Sequence, residues 1–241
     1  MTGGRELHFY LAGINNQNFL MRDRETGSWW QQITGRAIAG ELAGSALESM
    51  PNDELTFALW KSEAPRNHSL VLAPVAGHDN DKDYDKKWEE ETAKYPVPLT
   101  FPGQGLKDRD VVLGVQMAGQ ARAFPINSVR GQVPVVDKIA GIPVVIVTGP
   151  DGQSIRMFRS QWNGADIELY RDTAGAEKGG EKNDKTSADW QLLDSAGNIW
   201  NFAGCATSGS AAGQCLPKIH FVKDYWFDWR NYNPRTTVYS H

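Results

Sequence analysis

A run of glycines and small residues occurs twice in this chain, 169 positions apart, and this duplication constrains the fold more than any other feature. The segment 35–47 aligns without a gap on 204–216, and the register continues to Leu70 and Tyr239. Nine of the 36 aligned positions are identical, among them glycines, a tryptophan and a proline. Glycines recurring at fixed spacing indicate the same backbone turns, and a recurring tryptophan indicates the same packing anchor. We therefore expect two tandem copies of one structural unit.

Weaker matches extend upstream of both runs, with insertions in the second copy. The alignment pairs Arg22-Asp23 with Arg171-Asp172, Thr26 with Thr186, and Trp30-Gln31 with Trp190-Gln191. Residues 174–185, which the second copy adds between these anchors, are mostly polar and predict a solvated loop.

The segments between the turn residues predict strands. Short runs rich in β-branched residues at 111–115, 121–124 and 142–147 are separated by glycines and a proline, which is typical of strands joined by tight turns. The first copy has no counterpart of these strands. This difference predicts that the first copy is incomplete and that the chain is a truncated form of a longer protein. The alternative is a fold that closes without them.

Each copy also predicts one helix followed by a short strand. In the first copy, Asn52 or Asp53 caps a helix that ends before Pro65, because the residue ahead of a proline avoids helical dihedral angles. In the second copy the corresponding helix falls within 223–232. The strands that follow are expected at 69–72 and 236–239.

These patterns predict an α+β fold that is predominantly β, made of two degenerate tandem repeats of short antiparallel strands plus one helix each. A charged and proline-rich stretch, typical of an extended connector, separates the repeats. The predicted divisions are 1–77 for the first repeat, 78–105 for the linker and 106–241 for the second, complete repeat.

Composition disfavours several function classes. The 25 basic and 29 acidic residues give a formal net charge of −4 and are spread along the chain, so no nucleic-acid partner is expected. No apolar stretch approaches the roughly 20 residues that span a bilayer. The N-terminus has no hydrophobic signal region, so the chain as written would stay cytoplasmic. An export signal upstream of a truncated start would reverse that prediction.

The two cysteines, Cys205 and Cys215, lie ten residues apart in the second copy, where the first copy has Arg36 and Ala46. A disulfide is the favoured prediction, because the small residues and glycines around both cysteines predict a chain that goes out and returns. Closing this loop would contribute roughly 2–3 kcal/mol. The alternatives are two buried thiols and a redox-active pair, and the missing Cys-x-x-Cys spacing disfavours the latter.

An acidic stretch in the linker has the carboxylate spacing of a calcium loop. Carboxylates fall at positions 1, 3, 5, 7 and 12 of a loop that begins at Asp79, but position 6 is Tyr84, where an EF-hand needs glycine. A solvated acidic linker is the better interpretation. His68 and His78 are near enough in sequence to converge, yet the five histidines show no metal-ligand spacing. We predict no metal site and no cofactor.

A polar and aromatic set in the first copy predicts a ligand-binding groove. Aromatic rings stack on sugars or peptides while amides hydrogen-bond to them. The set comprises Asn15, Asn16, Gln17, Asn18, Arg22, Trp29, Trp30 and Gln31. A structural role is the favoured alternative for the members that recur in the second copy, such as Arg22 and Trp30. The unshared members, 15–18 and Trp29, are the first place to look for function.

Several longer motifs resemble one known family. They lie at 9–13, 16–21, 26–32, 121–125 and 225–229. Together they resemble the bacterial family catalogued as domain of unknown function 3179 over nearly the whole chain. The resemblance implies no established activity. It implies that a Cys-x-x-Cys-type element precedes the first repeat, close to Met1, and that many relatives are exported, which agrees with a Cys205–Cys215 disulfide.

Three functions stay open at this point. The favoured one is an extracytoplasmic, non-enzymatic binding module for a small polar ligand, a glycan or a peptide. The second is an enzyme whose thiol or metal centre needs upstream residues, and the third is a structural or interaction protein. For the full-length protein we expect a periplasmic or extracellular location.

Overall fold

The structure is a computed structural model that describes residues 4–15, 18–64, 90–91, 93–97, 100–101, 103, 105–171 and 190–240. It is 42% strand and 12% helix, which confirms the predicted α+β, predominantly β class. None of the helices in these described ranges has the length and apolar character needed to cross a membrane.

The first part of the chain contains one antiparallel sheet and one helix. The strands, which pair in chain order, are β1 (Phe9–Asn15), β2 (Asn18–Asp23), β3 (Trp29–Gln31) and β4 (Ala37–Ala39). The helix that follows is α1 (Phe57–Glu63).

The remaining elements form four further sheets. In the middle of the chain are β5 (Val111–Met117), β6 (Gln120–Pro125), α2 (Ile126–Gly131), β7 (Val135–Ile139), β8 (Ile142–Thr148) and β9 (Ile155–Arg159). The C-terminal part has β10 (Gln161–Trp162), β11 (Ala165–Asp166), β12 (Leu169–Arg171), β13 (Gln191–Asp194), β14 (Ile199–Asn201), β15 (Ala206–Ser208), β16 (Val222–Tyr225), α3 (Trp226–Tyr232) and β17 (Thr237–Val238). The sheet orders are β7-β8-β9, β10-β11, β12-β13-β14-β15 and β16-β5-β6-β17.

The predicted strands at 111–115, 121–124 and 142–147 are confirmed as β5, β6 and β8. The predicted 236–239 strand is present as β17, which pairs in parallel with β6, while the other paired strands described here are antiparallel. The predicted 69–72 strand lies outside the described residues.

The β7–β9 sheet is the central layer, because it is buried on both faces. Along β8, Val144 and Ile146 face a core shared with β5, β6 and α2. The alternate residues, Val145 and Val147, face a second core that contains the inner face of the β12–β15 sheet. On the far side of β5, α3 packs Trp229 directly over Gly114, where a Cβ atom would overlap the indole ring.

The helix of the first repeat is capped differently from the prediction. Thr56 is the N-cap of α1, and its Oγ1 accepts a hydrogen bond from the Leu59 backbone N–H at 3.2 Å. The predicted caps are engaged in tertiary contacts instead. Asn52 Oδ1 accepts from the backbone N–H of Phe221, and Asp53 forms an ion pair with Arg156. The caps were mispredicted because their partners lie more than 100 positions away in sequence.

The two glycine-rich runs have the same backbone hydrogen bonds. The Leu47 N–H donates to the Gly35 carbonyl at 2.8 Å, and the Leu216 N–H donates to the Gly204 carbonyl at 2.9 Å. Further inside each run, the pairs Ala37–Ser45 and Gly44–Ala37 are matched by Ala206–Gln214 and Gly213–Ala206. The runs therefore share one conformation at an offset of 169 residues. Common descent of the two copies stays a prediction, since hydrogen bonds record conformation and not origin.

Upstream of these runs, the structure pairs residues differently from the sequence alignment. Trp30 Nε1 donates to Asp23 Oδ2 at 2.8 Å, and Trp200 Nε1 donates to Asp194 Oδ2 at 2.9 Å. Trp190, the predicted partner of Trp30, instead donates to the Thr148 carbonyl. Trp30 thus corresponds to Trp200, which sequence alignment missed because the spacing between tryptophan and glycine run differs by one residue.

The predicted disulfide is confirmed, because Cys205 and Cys215 are bonded to each other. The two cysteines face each other across an isolated antiparallel bridge, and Arg36 and Ala46 form the same bridge in the first run. The turn therefore forms with or without the covalent bond.

We predict that the double variant Cys205→Ala/Cys215→Ala keeps the fold but loses roughly 2–3 kcal/mol of unfolding free energy, because the loop of the unfolded chain is no longer closed. Urea denaturation followed by tryptophan fluorescence measures the loss. The wild-type protein under reducing conditions is the matched control and should fall to the stability of the double variant. Equal stability of oxidised wild type and double variant would contradict this role for the disulfide.

Candidate functional site

A cleft of about 970 Å³ lies between two connectors that follow the glycine-rich runs, residues 47–51 and 217–220. Residues 48–51 and 217–220 occupy corresponding positions, 169 residues apart, so the cleft is formed where the two predicted copies meet. The rest of its wall comes from the β5, β16 and α3 layer, from the start of β2, from residues 32–35 between β3 and β4, and from Ile142 and Arg159 of the central sheet. These residues include Asn18, Gln116, Asp224 and Trp229.

Two carboxyl groups lie together at one wall of this cleft. Asp224 belongs to β16 and lines the cleft, while Asp228 lies in the first turn of α3 and is only 6% exposed. Asp224 Oδ2 and Asp228 Oδ1 are both buried, and neither accepts a hydrogen bond from a residue that the structure describes. Two buried carboxylates in one place repel each other, which favours the state in which the pair holds one proton.

The pair has raised pKa values for a physical reason. Burial, reinforced by the negative charge of Asp228, raises the pKa of Asp224 to about 7. Burial also raises the pKa of Asp228, although the hydrogen bond from Asn18 opposes the rise. Burial and the charges of Asp228 and Asp224 also raise the pKa of the nearby Tyr232 hydroxyl to about 12. The site therefore titrates near neutral pH.

The tip of the β1–β2 hairpin is held against α3 at this pair. Asn18 Nδ2 donates to Asp228 Oδ2 at 2.8 Å, and the Tyr232 hydroxyl donates to the Asn15 carbonyl at 2.8 Å. Asn18 Oδ1 is buried and accepts no hydrogen bond from any residue that the structure describes. These contacts join segments more than 200 positions apart in sequence.

The acid pair stands where the first copy has leucines. Helices α1 and α3 are both seven residues long and are offset by 169, which places Leu55 and Leu59 at the positions of Asp224 and Asp228. Leu59 is buried in the second core and Leu55 packs against it. This backbone therefore accepts apolar side chains at both positions. Burying two acids there costs stability that the fold does not require, which favours a functional role.

The structure separates the predicted ligand-binding set into two groups. Asn18 donates to Asp228 of the acid pair, whereas the Asn15 backbone carbonyl accepts from the Tyr232 hydroxyl. Asn16 and Gln17 lie outside the described residues. Arg22, Trp29, Trp30 and Gln31 do not line the cleft.

The second group makes contacts within its own sheet. Trp30 is fully buried with its N–H on Asp23, Arg22 donates to the Gly27 carbonyl at 2.8 Å and lies over the Trp29 ring, and Gln31 accepts from Thr34. These contacts are those of residues that hold a sheet and its turn.

Sequence reasoning did not select Asp224 and Asp228. The signal that would have found them is the pair of aligned positions that are leucine in one copy and aspartate in the other. Positions that are identical in the two aligned segments indicate shared turns. A buried position that is apolar in one segment and charged in the other indicates a difference in chemistry.

The family model described as Protein of unknown function (DUF3179) matches residues 2–236. The chain belongs to this family. No curated protein and no solved structure matches it. Membership in DUF3179 attaches no activity to the cleft, so its chemistry has to be inferred from the side chains in its walls.

A metal site needs several ligand side chains placed close together. Within the described part of this DUF3179 chain, no three His, Cys, Asp or Glu side chains are grouped closely enough to hold a metal ion. His68, His78 and the acidic loop that begins at Asp79 lie outside the described residues.

We predict that the contribution of Asp224 to the unfolding free energy of the DUF3179 chain falls as the pH rises from about 4 to about 7. The pKa of Asp224 is higher in the folded state than in an unfolded aspartate, about 3.9, so the folded state binds more protons across this range. Protonation therefore stabilises the fold at low pH, and this contribution is lost as the pH passes the folded pKa. The variant Asp224→Asn should flatten this pH dependence and be the more stable protein at pH 8.

The measurement is urea denaturation at pH 5 and pH 8, with the exposed Asp108→Asn as the control variant that keeps the wild-type slope. An Asp224→Asn slope equal to that of the wild type would show that this carboxyl does not carry the proton.

Proposed function

We propose that this protein is a binding module for a small polar ligand that enters the cleft beside Asp224 and carries N–H or O–H donor groups. The observation that carries the proposal is the buried acid pair at the cleft wall, in positions where the other copy has leucines. Sugars and short peptides are the ligand classes with such donors that fit a cleft of this size.

The charges of the cleft favour a donor-bearing ligand over an anion. Among the described wall residues, two of the three lysine and arginine side chains are already paired: Lys218 with Asp53 at 2.6 Å, and Lys223 with Glu54. The acid pair keeps one negative charge when it holds one proton. Hydroxyl, amide and ammonium groups are the complement of such a surface.

The position of Asn18 supports the same conclusion. Its amide N–H holds Asp228 in place, while its Oδ1 has no donor among the described residues. A buried acceptor without a donor costs about 1–3 kcal/mol. A ligand donor that reaches Oδ1 would recover part of this cost, so occupation of the cleft and satisfaction of Asn18 are coupled.

We expect isothermal titration calorimetry of the intact chain against panels of oligosaccharides and short peptides to find a ligand. The variants Asn18→Ala and Asp224→Asn should each weaken its binding about tenfold or more, since each removes a hydrogen bond to a charged or buried group. Gln153→Ala, at an exposed turn away from the cleft, is the control and should bind as the wild type does.

Two results would overturn the proposal. One is a ligand whose affinity neither Asn18→Ala nor Asp224→Asn changes, because that ligand binds elsewhere. The other is the absence of binding across both panels.

A second candidate function is acid–base catalysis in the same cleft. It is favoured by the pKa of Asp224, about 7, because a group that titrates near the working pH both donates and accepts protons efficiently. Mass spectrometry of each panel compound after incubation separates the candidates. A binding module returns the compound intact, whereas an enzyme returns products that disappear in Asp224→Asn.

The disulfide supports a location outside the cytoplasm. Structural disulfides persist in oxidising compartments and are rare where thiols are kept reduced. We accordingly place this protein in the periplasm or outside the cell, where small polar ligands such as glycans and peptides are also met.

A further inference from the structure

We infer that β1 is a dimerisation edge, on which a second copy of this chain pairs its own β1 to form one continuous sheet. The inference is independent of the cleft and of its ligand. It comes from the first sheet. The outer edge of this sheet and part of one of its faces are left uncovered by the described residues.

The outer edge of β1 has the features that natural sheets avoid. β1 stands at the end of the order β1-β2-β3-β4, and no strand of the described residues pairs with its other side. It is seven residues long and contains no charge and no proline, and its one irregularity is a bulge at Ala12, where the register with β2 shifts. Edge strands are ordinarily short, charged or covered, because a long uncharged edge pairs with another chain.

The other described sheets protect their edges. The corresponding strand β12 has three residues and ends in Arg171. The edge strand β7 carries Asp137 and Lys138, and β16 carries Lys223 and Asp224. The free edge of β9 is covered by Glu54 and by 217–219. The unprotected edge of β1 is therefore specific to the first copy.

An exposed apolar patch adjoins this edge. Leu11 lies opposite Met21, and Ile14 lies opposite Phe19, across the β1–β2 ladder. Residues 19 and 21 are two apart on β2, so all four side chains share one face. Leu11 is 62% exposed, Ile14 is 67% exposed and Phe19 is 50% exposed. Exposed apolar side chains grouped on one face are typical of an interaction site.

The second copy shows that this face is built to be covered. Leu192 lies opposite Trp200 in the same way that Met21 lies opposite Trp30, so Leu192 corresponds to Met21. Trp190, two residues before Leu192, then corresponds to Phe19. Trp190 and Leu192 are both buried against β8 and β9. Nothing among the described residues buries Phe19 to the same degree. The first sheet therefore leaves Leu11, Ile14 and Phe19 exposed on the face that its counterpart buries, while Trp30 on the same face is buried.

A second copy of the chain fits both features at once. Two β1 strands related by a two-fold axis run antiparallel, so each supplies the unpaired N–H and C=O groups that the other lacks. No like charges meet, because β1 is uncharged. The two apolar patches then lie on the same side of an eight-stranded sheet and adjoin one another across the axis.

Sedimentation velocity of the full chain over a wide concentration range tests the inference. We expect a dimer of twice the 26.7 kDa chain mass. Leu11→Lys and Ile14→Lys should each give a monomer, since lysine on an edge strand blocks pairing. Val136→Lys, at an exposed position of the edge strand β7, is the matched control and should remain dimeric.

Hydrogen exchange provides a second readout that does not depend on mass. Amides of residues 9–15 should exchange more slowly in the wild type than in Ile14→Lys, while those of β8 stay equally protected in both and show that the fold is kept. A wild-type monomer at every concentration overturns the inference, whatever other protein binds the patch. A dimer that persists in both lysine variants, with unchanged exchange in 9–15, overturns it as well.

Discussion

Burial of the β7–β9 sheet on both faces is the constraint on which the rest of the structure depends. Alternate residues of β8 enter two different cores, one under the β5–β6 layer and one under the β12–β15 sheet. A strand that is apolar on both faces is stable only when both faces are buried away from water, so a packed layer has to cover each face. One of those layers, the β12–β15 sheet, leads into the connector 217–220, and the other carries Asp224 in β16, so both contribute to the wall of the cleft.

The first segment of the chain is joined to this central sheet by charge as well as by apolar packing. Arg156 of β9 is buried and lies over the Phe202 ring. It forms ion pairs with Asp53, which precedes α1, and with Glu63, the last residue of α1. Leu59 of α1 enters the same core. Breaking such a pair leaves a buried charge without a partner, which is strongly destabilising. The two predicted repeats thus share a core, which the spacing of glycines does not reveal.

Comparison of corresponding positions separates what the fold requires from what it permits. The glycine-rich runs keep the same hydrogen bonds whether their bridge carries two cysteines or Arg36 and Ala46. Leu55 and Leu59 stand at α1 in the positions that Asp224 and Asp228 have at α3, a helix of equal length. Asp224 lines the cleft and has a pKa raised to about 7, so this difference is the one that supports a function. The candidate site therefore lies where the two predicted copies differ.

The sequence by itself determined the local structure: the glycine turns, the strands at 111–147, a helix in each segment, the disulfide and the mainly β class. Each follows from residues close together in the chain, where periodicity and turn chemistry act. It also selected Asn15 and Asn18, without indicating what they contact. The tertiary structure alone decided that the Asn18 amide meets Asp228 and the Asn15 backbone carbonyl meets Tyr232. It also decided that Asp53 pairs with Arg156 and that Trp30 corresponds to Trp200. Such contacts join residues that are far apart in the chain or have different spacing in the two copies. No local pattern encodes them, because burial and charge become specific only when the layers have packed.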